Sequence, residues 1–170
     1  RLFCPCAPYR GPPASDRRRR ASDITALGVV FVIAAGILLA LLLWCAWIRR
    51  QYAFGGGGMM ERTHLVILSH LDFDGQGQLL EVGCGSGPLS IRAALTWPSA
   101  QVVGIDYWGV DFAYNQAMCE KNAASEGVAA RCRFQHGNAN KLDFPDESFD
   151  AVVSNYVYHN IMGSDKRTLL

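Results

Sequence analysis

The sequence predicts a doubly wound α/β domain with a parallel sheet, preceded by one transmembrane helix. Three observations support this prediction. An apolar run from Ile24 to Ile48 contains no charged residue. Short apolar strand patterns then alternate with helical patterns from Gln78 to Ser154, and the first strand pattern ends in the glycine turn Gly83–Gly87. Strands that are separated by single helices are typical of parallel pairing with right-handed crossovers.

The apolar run is long enough to cross a bilayer. At about 1.5 Å per residue, a helix from Ile24 to Ile48 crosses a hydrocarbon layer of about 30 Å with some tilt. Trp44 and Trp47 suit an interfacial belt, and Arg49 and Arg50 close the run. A buried core helix is rarely this long without a polar face, and the apolar part of a signal peptide is about 7–15 residues. We therefore expect a single-pass segment with the lipid bilayer as its partner.

The segments beside this helix have flexible or polar compositions. Residues 1–23 are rich in Pro, Gly, Ser and Arg, which predicts a disordered basic tail or an interhelical loop. Residues 49–58 include four consecutive glycines, which predict a hinge because glycine loses much backbone entropy on ordering. Residues 59–74 predict a lead-in helix, Met59 to Leu71, followed by a polar turn.

Composition argues against several other classes of protein. The formal net charge is +1 and the arginine excess lies in the tail, so we predict no nucleic-acid partner. None of the six cysteines belongs to paired CxxC motifs, so we predict no metal site. The chain does not begin with Met and ends in a helical pattern, and we therefore expect a fragment.

The alternating part of the chain predicts four strands and two helices. The strands are expected at Gln78–Val82, Gln101–Ile105, Arg131–Gln135 and Phe149–Ser154, and the helices at Pro88–Leu95 and Asp111–Glu126. Ligands of such sheets bind beyond the carboxyl ends of the strands. The loops that follow the four strands are therefore expected to form one crevice.

Two carboxylates accompany the glycine turn Gly83–Gly87. Glu81 comes two residues before it, and Asp106 ends the next strand, where a carboxylate can accept both ribose hydroxyls. A dinucleotide fold would share Asp106, but it normally has glycine where this chain has Pro88, and it avoids an acid beside a pyrophosphate. This pattern favours a cationic, amino-bearing ligand over NAD.

Three segments, taken in order, resemble the motifs of a known family: EVGCGSG, VVGID and HGNANKLDFPDESFDAVVSNYVYHN. The family is that of class I S-adenosylmethionine-dependent methyltransferases, in the subgroup that includes the ubiquinone and menaquinone biosynthesis C-methyltransferases. The resemblance covers about Gly75 to Ile161. It implies a Rossmann-like methyltransferase sheet, of which about four strands lie in residues 75–170, and S-adenosylmethionine as the cofactor.

The resemblance also implies which residues form the site. The expected cofactor-binding residues are Glu81, Gly83, Cys84, Gly85 and Gly87 at the methionine portion, Asp106 at the ribose, and Tyr107, Asn138 and Ala139 at the adenine. The family usually has Asp at the position of Asn138, but an amide can also accept and donate hydrogen bonds. Asn155 corresponds to the position that faces the transferable methyl. His159 is a candidate general base, and a packing role for it stays open.

The expected function is methyl transfer to a small-molecule or lipid-like acceptor at a membrane. Such a transfer is an in-line displacement, for which the protein mainly aligns the reactants and excludes water. The resemblance places the domain in the cytosol, although the cluster Arg17–Arg20 favours a cytoplasmic tail instead. The alternatives are an NAD(P)-type oxidoreductase and a non-catalytic, membrane-tethered S-adenosylmethionine-binding protein.

Overall fold

The computed structural model describes residues 13–109 and 113–157. The chain divides into two compact units, Arg1–Arg50 and Gln51–Leu170. The described helices and strands follow one another as α1 (Ala14–Tyr52), α2 (Met59–Ser69), β1 (Gly77–Val82), α3 (Pro88–Thr96), β2 (Ala100–Asp106), α4 (Gln116–Ser125), β3 (Cys132–His136) and β4 (Ala151–Ser154).

Helix α1 accounts for almost all of the described part of the first unit. Within Arg18–Tyr52 it contains an 18-residue window with a mean hydropathy of 3.0, of which 0% is buried. By length and composition it is the one helix among the described residues that is able to cross a membrane. A signal sequence near the N-terminus would meet the same criteria, so the helix alone does not define a membrane protein.

Helix α1 is longer at both ends than the predicted apolar span. It begins at Ala14, so the disordered tail predicted for residues 1–23 is wrong for Ala14–Asp23. Alanine and arginine are strong helix formers, and Asp16 lies favourably in the first turn of the helix dipole. The helix ends at Tyr52, inside the predicted hinge. Gly55 and Gly57 then adopt left-handed φ angles of 70° and 68°.

The second unit contains a four-stranded parallel sheet with the strand order β3-β2-β1-β4. Leu79 in the central strand β1 lies opposite Val102 of β2 and Ala151 of β4. Helix α3 connects β1 to β2, and α4 connects β2 to β3. The chain order reverses between β1 and β4, which is where such sheets bind their ligands. The predicted doubly wound, Rossmann-like sheet is thus confirmed.

The core lies on both faces of the sheet because strand side chains alternate between faces. On one face Leu79, Val102 and Phe134 pack in a cluster with buried residues of α3 and α4. On the other face Leu80 and Ile105 belong to a smaller cluster, bordered by aromatic side chains of the chain before β4. Helix α2 joins the larger cluster through Leu68.

The predicted start of the second helix is wrong among the described residues. Asp111 lies outside them, but Ala113–Asn115 is not helical, and α4 begins at Gln116. Asn115 adopts an extended φ of −158°, and its side-chain oxygen accepts a hydrogen bond from the Met118 N–H at 2.8 Å. This contact is an N-cap, and α4 therefore begins at Gln116, later in the chain than the sequence periodicity predicts. Helix α2 likewise ends at Ser69 and not at Leu71.

Replacing this cap should destabilise the domain. Asn115→Ala removes the acceptor for the Met118 N–H, and we expect the free energy of unfolding to fall by about 1 kcal/mol. Urea unfolding followed by circular dichroism measures this change. Asn115→Asp is the matched control, because a carboxylate oxygen also caps well. Equal loss in both variants would contradict a capping role.

Candidate cofactor-binding site

The loops that follow the strands are joined at the carboxyl end of the sheet. The N–H groups of Gly83 and Cys84 both donate to the carbonyl of Ile105, at 2.8 and 3.0 Å. The Gly137 N–H donates to the Asp106 carbonyl at 2.9 Å, and the Ser154 hydroxyl donates to the Val82 carbonyl at 2.9 Å. The structure therefore brings the four strand ends together, as the sequence predicts for a crevice.

The glycine turn requires glycine at particular positions. Gly83, Gly85 and Gly87 have φ angles of 78°, 56° and 86°, in the left-handed region that side chains disfavour. A Cβ atom on Gly83 would also lie only 2.1 Å from Cγ2 of Val157, which follows β4. The turn thus passes directly under the segment that leaves the neighbouring strand, at the point where the chain order reverses.

Asp106 connects the end of β2 to the glycine turn. Its Oδ2 accepts a hydrogen bond from the Gly85 N–H at 2.7 Å, and its Oδ1 accepts one from the Trp108 N–H at 2.8 Å. The side chain is half-buried. A carboxylate offers about four lone-pair positions, so these two bonds leave acceptor capacity for the hydroxyls of a ligand.

Three further side chains fix the carbonyl groups of the turn, and the sequence analysis missed all three in this role. The indole N–H of Trp108 and the thiol of Cys119 both donate to the Gly85 carbonyl, at 2.8 and 3.2 Å. The Asn122 amide donates to the Ser86 carbonyl at 3.0 Å. Trp108 adopts a left-handed φ of 42°, which is uncommon for a bulky side chain. No periodic pattern marks Trp108, so only the fold reveals this contact.

Glu81 lies beneath the turn and not on the open crevice. It is 2% exposed, and its Oε2 accepts hydrogen bonds from both the N–H (2.7 Å) and the hydroxyl of Ser90 in α3. Burial raises the pKa of Glu81 to about 7, although the hydrogen bonds from Ser90 oppose this shift; the nearby charge of Asp106 adds to it. In this arrangement Glu81 positions the start of α3 and the turn above it.

The side chain of Cys84 lies in the core. It is buried, and a hydrogen bond with the Cys119 thiol, followed by burial, raises its pKa well above the ordinary value. Its carbonyl accepts from the Gly87 N–H at 2.7 Å. Cys84 is therefore a neutral thiol whose part in the site is to shape the turn.

The residues expected at the adenine lie after β2 and β3. Tyr107 is 65% exposed, and its ring centroid lies 5.2 Å from that of His136, an aromatic neighbour that the sequence analysis did not select. Asn138 is exposed, and its side-chain oxygen accepts from the Asn140 N–H at 2.9 Å. Ala139 packs against the smaller core cluster. Two exposed rings and one amide therefore border this end of the sheet.

The residues expected near the reacting methyl are only partly within the described chain. Asn155 is half-buried directly after β4, and the exposed Tyr156 follows with a left-handed φ of 57°. His159 lies outside the described residues. Among residues 13–109 and 113–157, no group of three or more His, Cys, Asp or Glu side chains is arranged to hold a metal ion.

A parallel sheet with a left-handed glycine turn after β1 and an acidic residue ending β2 defines the class of Rossmann-like cofactor-binding domains. Comparison with protein families narrows this class. The family model described as "Methyltransferase domain" matches residues 79–170. The chain belongs to this family, and the class I S-adenosylmethionine-dependent type implied by the sequence motifs is confirmed.

Individual relatives agree with this family. The chain is 30% identical over 116 residues to a demethylmenaquinone methyltransferase of Symbiobacterium thermophilum, covering 66% of this chain and 43% of the relative. It is 30% identical over 105 residues to the ubiquinone/menaquinone biosynthesis C-methyltransferase UbiE of Desulfotalea psychrophila, covering 61% and 39%. The crystal structure of the YcgJ protein from Bacillus subtilis matches with a TM-score of 0.50 and 26% identity, covering 64% and 43%. The chain thus spans less than half the length of each of these proteins.

The raised pKa of Glu81 predicts a pH-dependent stability. The folded chain holds this proton up to a pH of about 7, whereas the ordinary value for Glu is 4.5. As the pH rises between these values the unfolded chain loses its proton first, so the folded state loses roughly 3 kcal/mol of stability. Glu81→Gln cannot titrate, and urea unfolding should show it gaining that amount relative to the wild type between pH 4.5 and 7. The variant Glu120→Gln, at an exposed position, is the control and should show no such gain. If the stability of Glu81→Gln relative to the wild type also stays the same between pH 4.5 and 7, the assignment is refuted.

Proposed function

We propose that this chain binds S-adenosylmethionine in the crevice at the carboxyl end of its sheet and belongs to an enzyme that transfers the cofactor's methyl group. The observation that carries the proposal is the Asp106 carboxylate, held at the end of β2 by Gly85 and Trp108. Its unused acceptor capacity suits the two ribose hydroxyls. Glu81 and Asp106 also provide two acids close to a turn that lacks side chains, which suits a cationic ligand.

Different residues of the chain would bind different parts of this cofactor. The backbone of the glycine turn would lie against the methionine portion, Asp106 would hold the ribose, and Tyr107 with Asn138 would border the adenine. We add His136 to the adenine group because its ring neighbours Tyr107. The bound cofactor supplies a methyl group on a positively charged sulfur. Asn155 would help to align the acceptor and exclude water.

An oxidoreductase that binds NAD(P) is the weaker candidate. A pyrophosphate at this turn would lie close to the carboxylates of Glu81 and Asp106, which repel it. Pro88 stands where a dinucleotide fold normally has its third glycine. Calorimetry that detected NAD binding and no S-adenosylmethionine binding would favour this candidate.

We infer that the acceptor is a small or lipid-like molecule that the enzyme meets at a membrane, with the domain in the cytosol. Helix α1 supports a membrane location by its length and uncharged apolar run. Two relatives, named for demethylmenaquinone and for ubiquinone/menaquinone biosynthesis, support an apolar quinone-like acceptor. A non-catalytic S-adenosylmethionine-binding protein is the alternative, and transfer of labelled methyl to membrane extracts, which only the enzyme would show, distinguishes the two.

Replacing Asp106 should weaken cofactor binding. Asp106→Asn keeps one acceptor oxygen but removes the charge and the double acceptance, so we expect S-adenosylmethionine to bind at least about tenfold more weakly. Titration calorimetry measures the change. Asp146→Asn, at an exposed position, is the matched control and should bind as the wild type does. Unchanged affinity in Asp106→Asn would contradict the proposed ribose contact.

The membrane proposal predicts resistance to extraction. After expression in cells, the chain should stay in the membrane pellet in alkaline carbonate, which releases peripheral proteins, because α1 buries its apolar side chains in lipid. Deletion of residues 24–48 should move the protein to the supernatant. Release of the intact chain by carbonate would contradict a spanning helix.

A further inference from the structure

Helix α2 has a buried face and an exposed face. His64 and Leu68 are buried against the domain. The exposed side chains of the helix, which we call the outer face of α2, are Met59, Arg62, Leu65, Val66 and Ser69. The apolar members of this face are between 43% and 56% exposed, and none of its members is acidic. Apolar side chains that are exposed together on one helix face mark a surface that contacts lipid or another protein.

The outer face belongs to a helix that the domain holds in place. Leu68 is part of the larger core cluster. Oε2 of Glu61 accepts a hydrogen bond from the Gly57 N–H at 2.6 Å, and Oε1 of Glu61 lies 3.1 Å from Nη1 of Arg92 in α3. These contacts use the side of α2 that faces the domain. They leave the outer face exposed as a surface of the folded domain, available to a partner.

Helix α2 follows the proposed membrane span at a short distance along the chain. Residues 53–58 separate it from α1, so even a fully extended connection spans no more than about 25 Å. Within the second unit, the Met59 N–H donates to the side-chain oxygen of Gln51, in the last turn of α1, at 3.1 Å. A short connection to a helix anchored in lipid keeps the effective concentration of α2 at the membrane surface high, so even a weak contact is occupied.

The charges around α2 suit an anionic surface. The pair Arg49–Arg50 follows the apolar run of α1, and Arg62 lies on the outer face of α2. No acidic residue occurs between Asp23 and Glu61, and the next one, Asp72, comes after the end of α2. Basic residues beside a membrane-spanning segment attract anionic lipid headgroups. This attraction favours a lipid surface over an uncharged protein partner.

We propose that the outer face of α2 lies on an anionic bilayer surface, with its apolar side chains at the boundary between headgroups and acyl chains and Arg62 beside the lipid phosphates. This inference rests on the proposed membrane location, because α1 brings α2 to the lipid. The two contacts, α1 and α2, then flank the glycine hinge and restrict how the domain is oriented at the membrane. A lipid-like acceptor is met by a domain held at the surface in which that acceptor dissolves.

The test is photocrosslinking of the full chain in vesicles of phosphatidylcholine and phosphatidylglycerol. A benzophenone-bearing amino acid is placed at Val66, at Leu41 in the apolar run of α1, or at Leu142. Leu142 is the matched control, because it is an exposed apolar residue in the segment before β4, where its neighbours pack on the opposite face of the sheet. Mass spectrometry after illumination should find lipid adducts at Leu41 and Val66, and none above background at Leu142.

Charge is tested in the chain that carries the crosslinker at Val66. Arg62→Gln should reduce the yield of lipid adduct about fivefold, which is the share of one arginine near an anionic surface. Arg133→Gln removes the same charge from an exposed position of β3 and should leave the yield unchanged. Equal yields in these two variants would contradict the contact of Arg62 with anionic headgroups.

The crosslinking positions separate failure of this inference from failure of the proposed membrane location. Lipid adducts at Leu41 but not at Val66 overturn the surface contact and leave the spanning helix in place. Absence of adducts at Leu41 contradicts the span itself, and the surface contact with it. Equal yields at Val66 and Leu142, or adducts of Val66 with a second protein chain, also overturn the inference. If circular dichroism shows that the chain with the crosslinker at Val66 does not fold, Leu65 takes its place with the same expected result.

Discussion

The hydrogen bond from the Gly85 N–H to the Asp106 carboxylate is the interaction on which the crevice depends. It joins the turn after β1 to the end of β2, and the same carboxylate turns the chain at Trp108 through its second oxygen. Trp108 then donates back to the Gly85 carbonyl, so both backbone groups of Gly85 are fixed by residues that leave β2. Because two N–H groups already hold the carboxylate, it is oriented before any ligand arrives, which lowers the entropic cost of binding.

The buried carboxyl group of Glu81 lies beneath the glycine turn and holds the start of α3 through Ser90. Removing a charge from water is costly, and two hydrogen bonds from Ser90 offset only part of that cost, as the pKa of about 7 indicates. Near neutral pH the acid that lies beneath the glycine turn therefore exchanges its proton readily. A cationic ligand at the turn favours the ionised form of Glu81, whereas a pyrophosphate favours the protonated form. The protonation state of Glu81 therefore depends on the charge of the ligand at the turn.

Periodicity and turn chemistry were sufficient to predict the sheet, because each strand has a buried face and each helix of the domain an apolar stripe. They failed at the start of α4, where a single side chain, Asn115, caps the helix several residues after the pattern predicts that it begins. They also failed at Ala14–Asp23, which is helical although its composition is polar. In the site, Gly83 and Asp106 were recognisable because backbone conformation and strand ends constrain residue type. Trp108 and His136 were not, because their contacts join segments that only the folded sheet brings together.

The same reasoning explains why the sequence gives no sign of the polar atoms that α2 and α3 bury between them. Arg92 lies at an ordinary position of α3, and His64 fits a packing position of α2. Only the approach of the two helices buries their polar atoms, three of which have no hydrogen-bond partner among the described residues. Glu61 of α2 offsets part of the cost of burying the Arg92 guanidinium, because its Oε1 lies 3.1 Å from Nη1.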